Sequence, residues 1–221
     1  MKKEIGENVF IPVGSAIVEG HLESPEGADK MVIFSHGSGS SRFSPRNKYV
    51  ADMLNKENIS TLLLDLLTPK EDLNYAARFD IRLLTQRLVG VSRWILEQPL
   101  FRNFQIGYFG ASTGAASALR AAAMLEDRIK AVVSRGGRPD LAMQELPFVK
   151  APVLLIVGSL DDHVIELNRQ AFDQLRCKKE MVIVEGASHL FEEPGKLQEV
   201  AVVAAEWFKK HLSYPVQLIS T

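Results

Sequence analysis

The sequence contains very little cysteine, with Cys177 alone among 221 residues. A single thiol excludes an intrachain disulfide and any metal site built only from cysteines. The chain also lacks an excess of either charge, since 26 Lys and Arg stand against 27 Asp and Glu. Without surplus basic residues to neutralise phosphates, the charge does not favour nucleic acid as the main partner.

Long hydrophobic runs are absent as well. The longest clean apolar run is Ala151–Val157, whereas a membrane-spanning helix takes about 20 residues. The first eight residues are basic and then acidic where a signal peptide needs its apolar stretch. These features predict a cytoplasmic protein without a membrane partner.

Internal repeats, low-complexity tracts and Pro/Gly/Ser-rich linkers are also missing, so nothing in the sequence divides it into two regions of different composition. The residues present are 46% hydrophobic and 24% charged, which is typical of a soluble globular protein. We therefore expect one domain covering residues 1–221.

Short β-branched runs alternate with helical patterns along the chain. The clearest helical pattern runs from Ile81 to Ile95, where apolar residues recur at spacings of three and four. Continuous apolar runs suit strands that are buried on both faces, as in a parallel sheet. The predicted strands lie near residues 31–34, 61–64, 105–109, 129–133, 153–157 and 181–184, and other helices near 45–56, 112–125, 164–175 and 196–212.

An N-terminal hairpin precedes these units, because Asn8–Val13 and Ala16–Leu22 are separated by the turn residues Gly14 and Ser15. The sequence thus predicts an α/β fold with a mostly parallel eight-stranded sheet, an antiparallel N-terminal edge and helices on both faces. Only about a dozen residues, Asp140–Lys150, separate two of the strands. That length leaves no room for a lid domain and favours an open site for small soluble substrates.

A Gly-x-Ser-x-Gly motif, residues 110–114, lies between a predicted strand and a predicted helix. In this context it is typical of a nucleophile elbow, where a tight turn exposes the serine hydroxyl and the flanking positions must be almost free of side chain. Ser112 is the predicted nucleophile. The alternative is a glycine-rich turn in which Ser112 caps the helix.

A serine nucleophile needs a base, and the base needs an orienting acid. Asp161 follows the strand at 153–157 and His189 follows the strand at 181–184, in the chain order expected for this arrangement. We assign Asp161 as the acid and His189 as the base. The alternatives are Asp162 or Asp140 as the acid and His163 as the base.

Oxyanion stabilisation requires backbone donors near the nucleophile. The N–H of Thr113 is one, and the loop of residues 36–41 after the first parallel strand should supply the second, which we assign to Ser38. His36 is expected to fix this loop rather than take part in the chemistry.

Taken together, these segments resemble the α/β-hydrolase superfamily and, within it, the dienelactone-hydrolase-like group, in particular the hydrolase domain sometimes fused to a phosphoribosyltransferase. The resemblance covers roughly residues 31–208. Its Gly-x-x-Asp-x-x-Val segment matches Gly158, Asp161 and Val164, which supports Asp161 as the acid. Dienelactone hydrolases use a cysteine nucleophile, so Ser112 is a departure. It implies a carboxylesterase or lactonase that works through an acyl-enzyme; the alternatives are an acyltransferase, a peptidase or a non-catalytic binding protein.

Several arginines are candidates for binding an acidic group on a small-molecule ester or lactone. Arg135 and Arg138 follow the strand at 129–133, while Arg42 and Arg46 lie close to the oxyanion loop. The alternative is surface ion pairing. The sequence predicts no metal site and no cofactor, and it leaves a homo-oligomer open.

Overall fold

The structure, a computed structural model, describes residues 5–213. One eight-stranded sheet organises these residues, in the spatial order β1-β2-β4-β3-β5-β6-β7-β8. The strands are β1 Ile5–Val13, β2 Ala16–Ser24, β3 Lys30–Ser35, β4 Ser60–Asp65, β5 Gln105–Ala111, β6 Ile129–Arg135, β7 Val153–Gly158 and β8 Lys179–Val184.

Six helices connect and cover the strands. They are α1 Pro45–Lys56, the single turn α2 Pro69–Asp72, α3 Ile81–Glu97, α4 Thr113–Leu125, α5 Asp162–Gln174 and α6 Lys196–His211. The predicted helices at 45–56, 112–125, 164–175 and 196–212 are confirmed to within two residues at each end. No helix in the described part of the chain is both long enough and apolar enough to span a membrane.

The predicted sheet is also confirmed. β1 pairs antiparallel with β2 and β2 antiparallel with β4, whereas every pairing from β4 through β8 is parallel. The central strands are almost wholly buried because helices cover both of their faces. One hydrophobic core lies under α3, α4 and α5, and a second lies under α1 and α6.

Several short features escaped the sequence analysis, among them the 3-10 turns Tyr75–Phe79 and Glu126–Arg128, and two of them concern the surroundings of the site. The first is α2, whose capping box Thr68 and Glu71 is readable in the sequence. The second is a pair of single 3-10 turns, Pro139–Ala142 and Leu146–Phe148, in the segment between β6 and β7. This segment is short, as expected, and it forms no separate lid.

The strand order brings two predicted functional segments together. β3 and β5 are neighbours, with Ser35 opposite Gly110, although the chain leaves β3 toward β4 on its other side. In open α/β sheets, ligands bind at such a switch point, outside the carboxyl ends of the strands. The oxyanion loop after β3 and the Gly-x-Ser-x-Gly turn after β5 therefore lie side by side.

Candidate active site

Ser112 occupies a strained turn between β5 and α4. Its backbone angles are φ 50° and ψ −123°, a conformation that side-chain-bearing residues rarely adopt. The glycines on either side make this turn fit. A Cβ on Gly110 would lie 2.5 Å from the Ala115 Cα, and one on Gly114 would lie 2.1 Å from the carbonyl oxygen of Ser35. Strain of this kind persists only where the surroundings enforce it, and it clusters at functional sites.

We expect Gly114→Ala to be poorly tolerated, because the added methyl group would collide with backbone rather than with a movable side chain. Overpacking of this kind typically costs about 1–3 kcal/mol in the free energy of unfolding. Thermal and urea unfolding measure the loss. Gly6→Ala is the control, since nothing lies within 4 Å of a Cβ there; similar stability for the two variants would contradict the close contact.

The hydroxyl of Ser112 does not cap the helix that follows it. Ser112 is at the N-cap position of α4, yet its side chain makes no capping hydrogen bond. The oxyanion loop packs against it instead: a Cβ on Gly37 would lie 3.0 Å from the Ser112 Cβ and 3.7 Å from its Oγ. The capping-serine alternative therefore has no support in the local geometry.

His189 and Asp161 form a hydrogen-bonded pair, with 2.6 Å between the histidine Nδ1 and the carboxylate Oδ2. The two loops that carry them are tied together, because the Leu160 N–H donates to the Ala187 carbonyl at 3.0 Å. A Cβ on Gly158 would lie 2.2 Å from that same carbonyl oxygen, so the approach requires glycine. Asp161 is well shielded, whereas the imidazole is 39% exposed at the edge of the sheet.

The other acid and base candidates lie elsewhere. α5 begins at Asp162, two residues earlier than the predicted start at Val164, and both Asp162 and His163 are exposed on its first turn. Asp140 accepts two hydrogen bonds from Arg138, each of 2.8 Å. Only Asp161 among these carboxylates contacts His189 within the described chain.

The loop after β6 lies between Ser112 and His189. The Ser112 N–H donates to the Arg135 carbonyl, and the Arg138 N–H donates to the Ser112 carbonyl at 3.0 Å. A Cβ on Gly136 would lie 3.5 Å from the His189 Cε1. Within residues 5–213 the Ser112 hydroxyl and the His189 ring make no direct hydrogen bond, and such contacts commonly tighten only when substrate is bound.

His36 holds the oxyanion loop in place. Its Nδ1–H donates to the Gly37 carbonyl at 2.9 Å, and its Nε2 accepts from the Leu66 N–H at 3.4 Å. Burial lowers the pKa of His36, which favours the neutral ring that these two roles require. The Ser38 N–H, the second predicted oxyanion donor, already donates to the Thr113 side-chain oxygen at 2.9 Å.

Arg42 and Arg138, two of the four candidate substrate-binding arginines, have carboxylate partners. Arg42 pairs with Asp65 and, at 2.8 Å, with Glu19. Arg138 forms the fork-shaped pair with Asp140, and this hydrogen bonding raises the pKa of Arg138. Arg42 and Arg138 therefore make the ion pairs that the sequence analysis gave as the alternative to substrate binding.

Arg135 differs, because it is only 7% exposed and has no carboxylate partner in the described part of the chain. Its Nε and Nη1 are buried without hydrogen bonds, and its guanidinium carbon lies 5.9 Å from the centre of the Phe191 ring. Burial, with a smaller contribution from the nearby Arg46, lowers the pKa of Arg135 to about 10. Arg46 itself pairs with the exposed Glu192 at 2.6 Å.

The sheet order, the strained serine after β5 and the carboxylate-bound histidine after β8 define an α/β hydrolase. Comparison with known families makes this more specific, since residues 75–214 match the model of the dienelactone hydrolase family. The chain belongs to that family.

Solved structures resemble this chain at two levels of similarity. A crystal structure of a dienelactone hydrolase from Anabaena variabilis is 50% identical, with a TM-score of 0.93, covering 96% of this chain and all of that one. Est1E from Butyrivibrio proteoclasticus shares the fold at 16% identity, with a TM-score of 0.79 over 92% of this chain and 98% of its own.

Longer relatives occur in two strains of Mycobacterium tuberculosis, CDC 1551 and H37Rv. They are 52% identical over 209 residues and are provisionally named phosphoribosyl transferases. The match covers 95% of this chain but 47% of theirs, so the chain spans about half the length of these relatives.

Proposed function

We propose that this chain is a single-domain serine hydrolase that cleaves small carboxylic esters or lactones through an acyl-enzyme. Ser112 is the nucleophile, His189 takes its proton and gives it to the leaving alcohol, and Asp161 holds the imidazole in the productive tautomer. The N–H of Thr113 is one donor to the oxyanion. His189 then takes a proton from a water molecule whose oxygen attacks the acyl carbon, the bond to the Ser112 Oγ breaks to release the acid, and His189 returns the proton to the serine.

The observation that carries this proposal is the pairing of two independent features at one edge of the sheet. One is the forced φ of 50° at Ser112, and the other is the 2.6 Å contact between His189 and Asp161. A strained serine alone, or a His–Asp pair alone, has structural explanations. Their placement on either side of Gly136 favours nucleophilic catalysis.

Cysteine chemistry is a poor alternative for this member of the family. Cys177 lies in the connection between α5 and β8, at the end of the sheet opposite the carboxyl ends of the parallel strands. Burial raises the pKa of the Cys177 thiol, which disfavours the reactive thiolate. The residue at the elbow is Ser112, so esters and lactones that serine hydrolases attack are the better candidate substrates.

The provisional name of the mycobacterial relatives points to a different chemistry. Because this chain matches 47% of their length, we propose that the transferase named there belongs to the remaining half. The loop at residues 36–41 also lacks the Gly-Lys-Ser/Thr ending of a phosphate-binding loop.

A fluorophosphonate that carries a reporter group tests the proposed function directly, since it reacts with activated serines. We expect stoichiometric labelling of the wild type and hydrolysis of short-chain aryl esters or lactones in a substrate screen. An unlabelled wild-type protein would instead indicate a non-catalytic binding protein on the hydrolase fold.

We further propose that Arg135, rather than Arg42 or Arg138, meets an acidic substituent of the substrate. A buried guanidinium without a carboxylate is costly, so an anion that enters beside it gains strong, charge-assisted hydrogen bonds. The formal charges of Arg135, Arg46 and Glu192 leave one net positive charge, which a single carboxylate neutralises.

Arg135→Met is expected to lower kcat/KM by about 10- to 100-fold on an ester whose acyl group ends in a carboxylate, such as mono-p-nitrophenyl succinate. On neutral p-nitrophenyl butyrate the change should stay within about twofold. Arg138→Met is the matched control, because Asp140 already neutralises Arg138. Equal losses on both esters in Arg135→Met would reject the role in substrate binding.

A further inference from the structure

The oxyanion loop presents its Ser38 N–H to a side chain rather than to open space. That N–H donates to the Thr113 Oγ1 at 2.9 Å, and Thr113 directly follows the nucleophile. The donor that the sequence assigns to the oxyanion is therefore occupied in the resting site.

The loop has little freedom to redirect this N–H. His36 fixes the loop through the hydrogen bonds to Gly37 and Leu66, and the Ser40 N–H closes a turn on the Gly37 carbonyl at 3.1 Å. The close approach of Gly114 to the Ser35 carbonyl holds the start of the loop against α4. These contacts hold the Ser38 N–H in place beside the Thr113 hydroxyl.

The Thr113 hydroxyl retains its own proton for donation. A hydroxyl has one O–H donor and two lone pairs, and the bond from Ser38 uses a lone pair. Within residues 5–213 that O–H has no acceptor. Because hydrogen bonds in a chain polarise one another, a hydroxyl that accepts from a backbone N–H becomes a stronger donor.

We propose that the Thr113 hydroxyl, held by the Ser38 N–H, is the second donor of the oxyanion hole, beside the Thr113 N–H. This inference rests on the proposed serine hydrolase function. When the Ser112 Oγ bonds to the carbonyl carbon, the serine proton passes to His189 and the carbonyl π electrons move onto oxygen. That oxygen then accepts hydrogen bonds from the Thr113 N–H and O–H, while Thr113 keeps both protons. Ser38 is a positioning residue, because its N–H holds the Thr113 hydroxyl in place through their hydrogen bond.

The opposite role makes an opposite prediction. If the Thr113 oxygen merely occupied a donor that the oxyanion needs, its removal would free the Ser38 N–H and raise the rate. If it is itself a donor, its removal lowers the rate. The sign of the change in kcat therefore separates the two roles.

Thr113→Val removes the hydroxyl with little change in shape. We expect kcat on p-nitrophenyl acetate to fall about 100-fold with KM within about threefold, because an oxyanion donor acts on the transition state and not on the bound ester. Thr113→Ser, which keeps the hydroxyl, should remain within about threefold of the wild-type kcat. Thr113→Ala provides the same comparison if the valine variant does not fold.

Thr85→Val is the matched control for removing a buried threonine hydroxyl. Thr85 is 3% exposed in α3, and its hydroxyl donates to the Ile81 carbonyl at 2.6 Å. Its loss should lower the melting temperature and leave kcat unchanged. The same low kcat in Thr85→Val would mean that the Thr113 effect is a general consequence of lost stability, which would overturn the proposal.

A reversible transition-state analogue gives an independent readout. A trifluoromethyl ketone forms a tetrahedral adduct with Ser112, so its Ki should rise in Thr113→Val by about the factor lost in kcat/KM. Wild-type or higher kcat in Thr113→Val, or an unchanged Ki, would overturn the role of the hydroxyl while leaving the serine hydrolase intact. A wild-type protein that neither hydrolyses esters nor reacts with the fluorophosphonate would overturn both proposals.

Discussion

Ser112→Ala is expected to lower kcat/KM on aryl esters by about 10⁴- to 10⁶-fold. In the proposed mechanism the Ser112 Oγ forms the covalent bond to the substrate carbonyl carbon. No neighbouring group in the site takes over this role when the hydroxyl is removed. The methyl group of alanine accommodates the same strained turn, with φ 50°, no worse than serine does. Circular dichroism and thermal unfolding should therefore resemble the wild type while hydrolysis and fluorophosphonate labelling disappear.

Ser134→Ala serves as the control for this variant. Ser134 is a buried serine in β6, the strand beside β5, and its hydroxyl has no hydrogen-bond partner in the described chain. Its activity should stay within about threefold of the wild type. Ser112→Ala protein that still hydrolyses esters at a tenth of the wild-type rate would place the nucleophile elsewhere.

The residues that sequence reasoning located correctly share a local signature. β7 is a continuous apolar run that ends at Gly158, and α1 begins at Pro45 after the capping residue Ser44. Such patterns depend on neighbours in sequence, and the parallel sheet follows from their alternation. The positions of Ser112, Asp161 and His189, each after the end of a strand, were readable for the same reason.

The contacts between loops were not readable in this way. Nothing in the sequence indicates that Asp65, at the end of β4, pairs with Arg42, whereas Arg135 has no carboxylate partner among residues 5–213. The pairing of Ser38 with Thr113 spans 75 residues and depends on β3 lying beside β5. These details follow from the order of strands in the sheet, which local patterns do not specify.

Asp161 and Asp162 are adjacent in sequence, but only the replacement of Asp161 is expected to cause a large loss of kcat. Asp161→Asn is expected to lower kcat by about 10⁴-fold while KM changes little. An asparagine can present its NH₂ group to the histidine Nδ1, which places the remaining ring proton on Nε2. In that tautomer His189 is a donor toward Ser112 and is unable to act as its base.

Asp162→Asn is the control at the next position, because Asp162 is exposed on the first turn of α5 and makes no contact with His189. It should keep the wild-type kcat within about twofold. The rate of fluorophosphonate labelling should fall with kcat in Asp161→Asn, since the inhibitor also requires an activated serine, although the melting temperature changes little. A large loss in Asp162→Asn, or a near-normal kcat in Asp161→Asn, would mean that the 2.6 Å contact does not orient the catalytic base. Both substitutions remove one negative charge at adjacent positions, so a difference in kcat between them reports the contact with the imidazole rather than the lost charge.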